Sequence, residues 1–302
     1  MNRYHDLLNI PIKDVAAHIF RRPCLSVDSA STMLQLAPFL AIGPQIYVDG
    51  LIITNKSKKS IGRLGSKHII SNILKSGYPK CLEITAEQMM DDFAGTLEMN
   101  SPLSNALEIF TKTRFAFVPI TIKDYSFGSK AEQVVAIASL SIRDILPLLA
   151  KSNIDIPVKD LCSTLISVDR NTSIRNAIDF MMKHGIRNIG INENADSDDS
   201  NNTYPTKMLR IINDRKILEF LLSHNGRELM QRNGATSLTD IGSINHLDMI
   251  TATKVKRDAT NVSRAAELLM DIHNPCLTLE AEKGEKDNFI VTPWDIVMKT
   301  MI

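Results

Sequence analysis

Cysteine is scarce in this chain of 302 residues, and the few that exist are dispersed. The four cysteines, Cys24, Cys81, Cys162 and Cys276, form no Cys-x-x-Cys pair and have no histidine at the spacing of a metal ligand. This pattern argues against a zinc site and against a disulfide framework. It predicts reduced, buried thiols and no bound metal, as is usual for a cytoplasmic protein.

An excess of charge of either sign is also missing. Lys plus Arg number 35 and Asp plus Glu number 34, so the formal net charge is +1. No global field would therefore steer the chain toward nucleic acid or an anionic membrane. The basic stretch Asn55 to Lys67, "NKSKKSIGRLGSK", lacks the interleaved aromatic residues of a single-strand binding surface and predicts a solvated hairpin with a strand.

Long apolar runs are absent as well. No window approaches the roughly 18 apolar residues of a membrane span, and the start of the chain, "MNRYHDLLNIPIKDV", lacks the apolar stretch of a signal peptide. An apolar content of 44% is nevertheless enough for one large core or two ordinary ones. We expect a globular protein of the cytoplasm.

Signatures of the common enzyme classes do not occur. Ser, His and Asp are present, but in no GxSxG, HExxH, P-loop or GxGxxG context. The seven histidines are scattered through helix-like and linker segments. We therefore predict a protein that is not an enzyme and has no catalytic residues.

Internal repeats organise the chain. "PIKDV" at residues 11–15 returns as "PVKDL" at 157–161, and "CLSVDSASTML" at 24–34 returns as "LISVDRNTSI" at 165–174. The two halves divide near Ser152, and each half divides again. We call residues 1–78, 79–152, 153–224 and 225–302 the first, second, third and fourth quarters, and predict one domain in each.

Every quarter follows one order: strand, helix, strand, polar loop, strand and closing helix. In the third quarter these are "TLISVD", "NTSIRNAIDFMMKHG" ended by Gly185, "IRNIGI", the loop "ENADSDDSNNTYPT", "KMLRII" and "DRKILEFLLS". The polar loops "KDYSFGSKAEQ" and "AEKGEKDN" take the same place in the second and fourth quarters. The first quarter is less regular, because Pro38 and Pro44 are expected to interrupt its first helix.

This fourfold order resembles the CBS domain family, named for cystathionine beta-synthase. The likeness is clearest in "VKDLCSTLISVDRNTSIRNAIDFMMKHGIRNIGI" and in the G/A-h-h-[ST]-x-x-D-h pattern of "ASLSIRDIL". It implies an α/β (α+β) fold of four repeats, each a small sheet with two packed helices, paired into two Bateman modules. The architecture is similar to the gamma subunit of AMP-activated protein kinase.

The resemblance also implies ligand clefts for adenosine compounds, with [ST]-x-x-D as the binding motif. Ser141 with Asp144, and Thr292 with Asp295, carry it at a strand-to-helix junction. The carboxylate could accept both ribose hydroxyls, and the hydroxyl with free backbone N–H groups at a helix start could meet a phosphate. The same spacing is also an ordinary helix cap that binds nothing.

The other two quarters depart from this motif. Gly65 and His68 stand at its positions in the first quarter, and Asn213 and Lys216 in the third. A lysine cannot accept hydrogen bonds from a ribose, and a histidine could do so only weakly. These two clefts are predicted to be empty or adapted to another group such as phosphate.

In the family, each cleft is completed by the paired domain. For Asp295 the partner is the third quarter, where Ile166 and Ile186 would flank an adenine and Arg187 would reach phosphates. An exposed structural arginine is the alternative for Arg187. For Asp144 the partner is the first quarter, with Leu25 at the corresponding strand position.

Two functions stay open at this point. One is a regulatory, energy-sensing protein that binds AMP, ADP or ATP, with S-adenosylmethionine as a further candidate, and modulates an unidentified protein partner. The other is a ligand-free CBS scaffold that docks a protein or nucleic acid, although nucleic acid is not favoured. Neither function needs a catalytic cofactor or a membrane, and the chain could be a monomeric disk or a homodimer.

Overall fold

The protein is described by a computed structural model, which covers residues 3–41, 49–77, 79–92, 95–124, 133–169, 171–192, 209–232, 247–280 and 288–302. Most of the three predicted polar loops, and Pro44, lie outside these residues. The end residues of the predicted second-quarter loop, Lys123, Asp124 and Gln133, belong to strands instead.

The first half contains seven helices and six strands among the described residues, together with short 3₁₀ turns. In the first quarter they are α1 (Arg3–Leu8), α2 (Ile12–Val15), β1 (Ser26–Asp28), α3 (Met33–Ala41), β2 (Leu51–Thr54), β3 (Ser60–Leu64) and α4 (Ser66–Ser76). In the second quarter they are α5 (Ala86–Met89), β4 (Asp91–Asp92), α6 (Leu103–Thr113), β5 (Phe117–Asp124), β6 (Gln133–Ser141) and α7 (Leu146–Lys151).

The second half repeats the order. In the third quarter the elements are β7 (Ser163–Thr164), β8 (Ser167–Asp169), α8 (Ile174–His184), β9 (Asn188–Asn192), β10 (Arg210–Asn213) and α9 (Asp214–Leu222). The helix α10 (His224–Arg232) follows, and the fourth quarter continues with β11 (Ile250–Thr251), β12 (Thr253–Val255), α11 (Val262–Leu269), β13 (Leu277–Leu279), β14 (Phe289–Val291) and α12 (Pro293–Met301).

Local sequence explains where the helices begin and end. In α8 the Ser173 hydroxyl accepts a hydrogen bond from the backbone N–H of Asn176, and Gly185 ends the helix with a φ of 63°. The expected closing helix of the second quarter instead begins as a 3₁₀ turn, Ile142–Ile145, and becomes α-helical near Pro147. The prediction for Pro38 was wrong: α3 continues through this residue to Ala41.

Exchanged edge strands join the quarters in pairs. The sheet of the first quarter runs β1-β2-β3-β4, so its last strand comes from the second quarter, whose own β5 and β6 form a hairpin. In the second half β7 of the third quarter pairs with β14, and β11 of the fourth quarter pairs with β10. This exchange makes two modules, as the predicted fold class requires.

The two modules meet through their helices. One buried core unites the second and fourth quarters, with α7 packed on α11 and α12, while a second unites the first and third quarters, with α3 and α4 packed on α9. Within the described part of the chain, no helix is long and apolar enough to cross a membrane.

Candidate functional site

Both predicted motifs lie at the start of the closing helix of their quarter. Ser141 and Thr292 are N-cap residues, and Asp144 and Asp295 are the third residues of the turns that follow. Each pair forms a capping box, in which the aspartate accepts a hydrogen bond from the backbone N–H of the cap residue. Both carboxylates are buried. The helix-cap interpretation therefore holds for both motifs, and ligand binding would have to use the same groups.

The Asp144 carboxylate contacts Arg22 and His18 of the first quarter and the backbone of Ser141 in its own quarter. Arg22 donates from Nη1 to Oδ1 at 2.9 Å and from Nη2 to Oδ2 at 2.6 Å. His18 Nε2 lies 2.9 Å from Oδ1, and the backbone N–H of Ser141 is 2.7 Å from Oδ2. Two partners on each oxygen fill the four acceptor positions of a carboxylate.

The Asp295 carboxylate has a different set of neighbours. Oδ1 lies 2.9 Å from the Ser163 hydroxyl and 2.8 Å from Lys299 Nζ. Oδ2 accepts from the backbone N–H and the hydroxyl of Thr292, at 3.0 and 2.6 Å. Because Ser163 belongs to β7, which comes from the third quarter, the site is composite in the way that the sequence resemblance implies.

The expected adenine-flanking residues lie at the edges of the paired domains, and all three are half-buried. Ile166 stands between β7, which joins the fourth-quarter sheet, and β8, which joins the third-quarter sheet. Ile186 lies two residues after the end of α8, and its N–H donates to Met181 O at 3.0 Å. Leu25 precedes β1, and its carbonyl accepts from the Ile52 N–H at 3.0 Å.

The Arg187 side chain is engaged by its own quarter. Its Nε is 3.0 Å and its Nη2 3.4 Å from the carboxylate oxygens of Asp214, which also accepts from the Ser66 hydroxyl of the first quarter. The Asp214 carboxylate is the largest influence on the pKa of Arg187; with Asp49 it raises that pKa, although burial acts to lower it. The side chain is still 43% exposed, so it can be reached by a ligand.

A second ion pair lies beside it and crosses between the modules. Asp49 of the first quarter accepts from Arg215 Nη2 of the third quarter at 2.6 Å and also from the Ser141 hydroxyl of the second. Burial favours a higher pKa for Asp49, but Arg215, Arg187 and the Ser141 hydrogen bond outweigh it, so the pKa is lowered. Ser141 is thus tied to Asp49 rather than free for a phosphate.

The cleft of the first quarter is filled by side chains. The Phe115 ring stacks on the His68 imidazole, with 5.4 Å between centroids, and the Arg63 guanidinium lies 3.9 Å from the Phe115 centroid. Arg114 ends α6 and Gly185 ends α8, and both residues have left-handed backbone conformations. Phe115, which follows Arg114, is therefore the second-quarter counterpart of Ile186. The phenyl ring thus contacts both His68 at the motif position and Arg63 of β3.

Arg63 is the unexpected member of this group. It lies in the strand part of the basic stretch, which was predicted to be a solvated hairpin with a strand, and only 2% of Arg63 is exposed. Its Nε and Nη1 have no hydrogen-bond partner among the described residues. The face of Phe115, which comes from the next quarter, covers the guanidinium and supplies a cation–π contact.

Polar contacts surround the motif position of the third quarter. Asn213 caps α9 by accepting from the Lys216 backbone N–H, and Lys216 Nζ lies 2.6 Å from Asp248. On the facing domain, the Thr253 hydroxyl donates to the Asn274 side chain at 2.8 Å. That this cleft binds no nucleotide stays a prediction.

Sequence reasoning missed Arg22, Asp49 and Phe115. Arg22 could have been found by aligning the halves, because it falls at the position of Ser163. The contacts of Asp49 depend on a neighbour in the other module, for which the sequence carries no signal. Among the described residues, no group of three or more His, Cys, Asp or Glu side chains could hold a metal ion.

Comparison with solved structures identifies the fold. No protein-family model matches the sequence, and no curated protein matches it. A solved structure from Methanocaldococcus jannaschii, described as a proposed archaeal homologue of g-AMPK, aligns with a TM-score of 0.73 and 15% identity. That alignment covers 97% of this chain and 100% of the other.

Shorter structures align with single modules. A CBS domain protein from Pyrobaculum aerophilum complexed with AMP has a TM-score of 0.35 and 20% identity, and covers 47% of this chain and 98% of its own. A CBS domain pair complexed with 5′-methylthioadenosine and S-adenosyl-L-methionine has a TM-score of 0.34 and 17% identity, and covers 46% and 98%. The full-length alignment carries the assignment: this chain has the fold of a tandem CBS-domain protein, with an architecture that resembles the gamma subunit of AMP-activated protein kinase.

Proposed function

We propose that the protein is a ligand-sensing regulator that binds an adenosine nucleotide between paired CBS domains and thereby modulates a protein partner in the cytoplasm. The proposal involves no catalysis and no metal. The observation that carries it is the position of Asp295, a buried carboxylate at the first turn of α12 that faces Ser163 across the boundary between two domains.

The chemistry of this cleft suits a ribose. Two ribose hydroxyls would replace the Ser163 hydroxyl and the Lys299 ammonium as donors to Asp295, and the displaced ammonium has other acceptors. Lys299 Nζ already lies 2.8 Å from Leu161 O and 3.1 Å from Cys162 O. Each hydrogen bond to the charged carboxylate contributes about 1.5–3 kcal/mol, so adenine packing must supply the rest of a micromolar affinity.

The remaining ligand groups have candidate contacts nearby. Ile166 and Ile186 present half-buried apolar side chains on the third quarter, where an adenine could pack. Arg187 could turn from Asp214 toward a phosphate, since its side chain is partly exposed. Asp144, with Ser141 and Leu25, forms the second candidate cleft.

Regulation would follow from the ion pairs at the centre. A phosphate that drew Arg187 away from Asp214 would weaken a contact that also includes Ser66 of the other module. A ligand shifts a conformational equilibrium only by its difference in affinity for the two states. Such a change in central contacts could supply that difference and alter the tilt of the modules.

Calorimetric titration with AMP, ADP, ATP and S-adenosylmethionine tests the proposal. We expect binding by at least one of them, abolished at this cleft by Asp295→Ala and unchanged by Lys216→Ala, the matched control in the third quarter. No binding of any of the four at about 1 mM would contradict the proposal. Full stoichiometry in the Asp295 variant would contradict the site while leaving nucleotide binding in place.

A ligand-free scaffold is the second candidate. The observation in its favour is that both motif carboxylates are already fully hydrogen-bonded and that Phe115 fills a third cleft. The same titration separates the two functions, because a scaffold would bind none of the nucleotides.

A further inference from the structure

Arg22 and Ser163 occupy equivalent positions in the two halves of the chain. Arg22 lies four residues before β1 and Ser163 four residues before β8, and these strands pair in parallel with β2 and β9 in the same manner. Each side chain reaches the motif aspartate of the paired domain, Asp144 or Asp295. One position of the fold therefore faces the motif aspartate in both modules. It holds an arginine in the first module and a serine in the second.

The arginine contacts its carboxylate as a two-pronged donor. Nη1 and Nη2 of Arg22 each lie on a different oxygen of Asp144, and Nη2 also donates to Ser139 O at 3.0 Å. The side chain of Arg22 is only 18% exposed and that of Asp144 only 6%. Paired charges in this geometry are among the stronger hydrogen-bonded contacts in proteins, and here both prongs and both oxygens are used.

The serine contact is weaker in kind. Ser163 offers a single neutral hydroxyl to one oxygen of Asp295, and that hydroxyl also lies 2.8 Å from Lys299 Nζ. Lys299 is the cation at this site, but its ammonium has backbone carbonyls within reach and can release the carboxylate. An incoming ribose displaces donors more easily here than at Asp144.

We propose that Arg22 is the residue that decides ligand occupancy in the first module: it acts as an internal competitor that keeps a ribose from Asp144, whereas Ser163 leaves Asp295 accessible. This inference rests on the proposed function and deepens it. It implies one nucleotide site in the unaltered chain, in the second module, and a second site that exists in the fold but is held closed by a guanidinium.

A reciprocal exchange tests the inference. Stoichiometry is measured by calorimetry with AMP, ADP and ATP on the full chain, on Arg22→Ser and on Ser163→Arg. We expect about one site in the unaltered chain, about two in Arg22→Ser, and none in Ser163→Arg, by the displacement argument above. Adding Asp144→Asn to Arg22→Ser should return the count to about one, which locates the new site at Asp144.

Other results would overturn the inference. One is an Arg22→Ser chain that keeps the unaltered circular dichroism and melting transition but still binds one nucleotide. Another is an unaltered chain that binds two nucleotides and loses one on Asp144→Asn. If Arg22→Ser does not fold, Arg22→Gln, which keeps most of the side-chain volume, serves in its place. Absence of binding in every chain rejects the proposed function and this inference with it, whereas one site in both the unaltered and the Arg22→Ser chains rejects the inference alone.

Discussion

Asp49 and Arg215 form an ion pair that joins the first quarter to the third, with Nη2 of the arginine 2.6 Å from the carboxylate. Both side chains are largely buried, at 12% and 13% exposure. The Ser141 hydroxyl donates to the same carboxylate, so three of the four quarters meet at Asp49. The contact therefore belongs to the association of the two modules as well as to a candidate cleft.

Removing the charge of Asp49 should destabilise the fold. Asp49→Asn removes the carboxylate charge that Arg215 Nη2 contacts at 2.6 Å, and loss of one charge of a buried pair costs about 3 kcal/mol or more. Urea unfolding at neutral pH measures the change. Asp258→Asn, which breaks the exposed pair with Lys159, is the control and should change little. Equal effects of the two substitutions would contradict the buried role of Asp49.

The loss of stability in acid should show the contribution of Asp49. Because the pKa of Asp49 is lowered in the folded chain, its contribution to stability is present above the ordinary pKa of an aspartate and is lost as pH falls through the folded value. We expect the unaltered protein to lose stability below about pH 4 more steeply than Asp49→Asn does. Urea midpoints measured from about pH 3 to 7 test this expectation, and identical slopes would count against it.

His68 should contribute pH dependence in a separate range. Its Nδ1 accepts a hydrogen bond from the Gly65 N–H. Burial is the largest influence on the pKa of His68 and lowers it, because it outweighs the opposite effect of Asp91. The folded state therefore holds fewer protons than the unfolded state below the ordinary pKa of histidine. Stability should fall as pH decreases from about 6.5, and His68→Gln should remove this slope. A slope that persists in the variant would assign it to another group.

Phe115 should matter for its π-face as well as its volume. Phe115→Leu keeps an apolar side chain but removes the stack on His68 and the contact with the Arg63 guanidinium. Since Arg63 is buried, we expect a loss of about 1–2 kcal/mol in unfolding free energy. Phe115→Tyr, which keeps the ring, is the matched control. Equal losses in both variants would show that the ring face is not the stabilising feature.

Thiol reactivity provides an inexpensive check of burial. Burial raises the pKa of Cys81 to about 11 and that of Cys276 to about 12. The thiolate is the nucleophile, so these residues should resist iodoacetamide at about pH 8 in the folded protein and react in concentrated urea. Peptide mass spectrometry reads out each site. Rapid labelling of Cys276 without unfolding would contradict its placement in the core.

The repeat order was predictable because it is written in local patterns. In the third quarter the segment predicted as a helix forms α8, with Ile174, Ala177, Ile178 and Met181 buried on one face, and the helix ends at Gly185 as predicted. Periodicity and capping act over a few residues, so they can be read without knowing the partners of a segment. The four-repeat fold followed from their repetition.

The exchange of edge strands was not predictable in the same way. Each of β4, β7 and β11 has only two residues, and each pairs with the sheet of the neighbouring quarter. Segments so short carry no pattern that chooses between two sheets, because the choice depends on which edge is within reach. The burial of Arg63 has the same origin, because the ring that covers it comes from the following quarter.

By itself, the sequence determined the number and order of the repeats, the helix starts at Ser141 and Thr292, and the two carboxylates three residues beyond them. Only the tertiary structure decided what those carboxylates contact: Arg22 with His18 at one, Ser163 with Lys299 at the other. The reason is physical, since a helix cap forms within one turn of chain, whereas the occupant of a cleft is supplied by whichever distant segment the packing of the domains brings within about 3 Å.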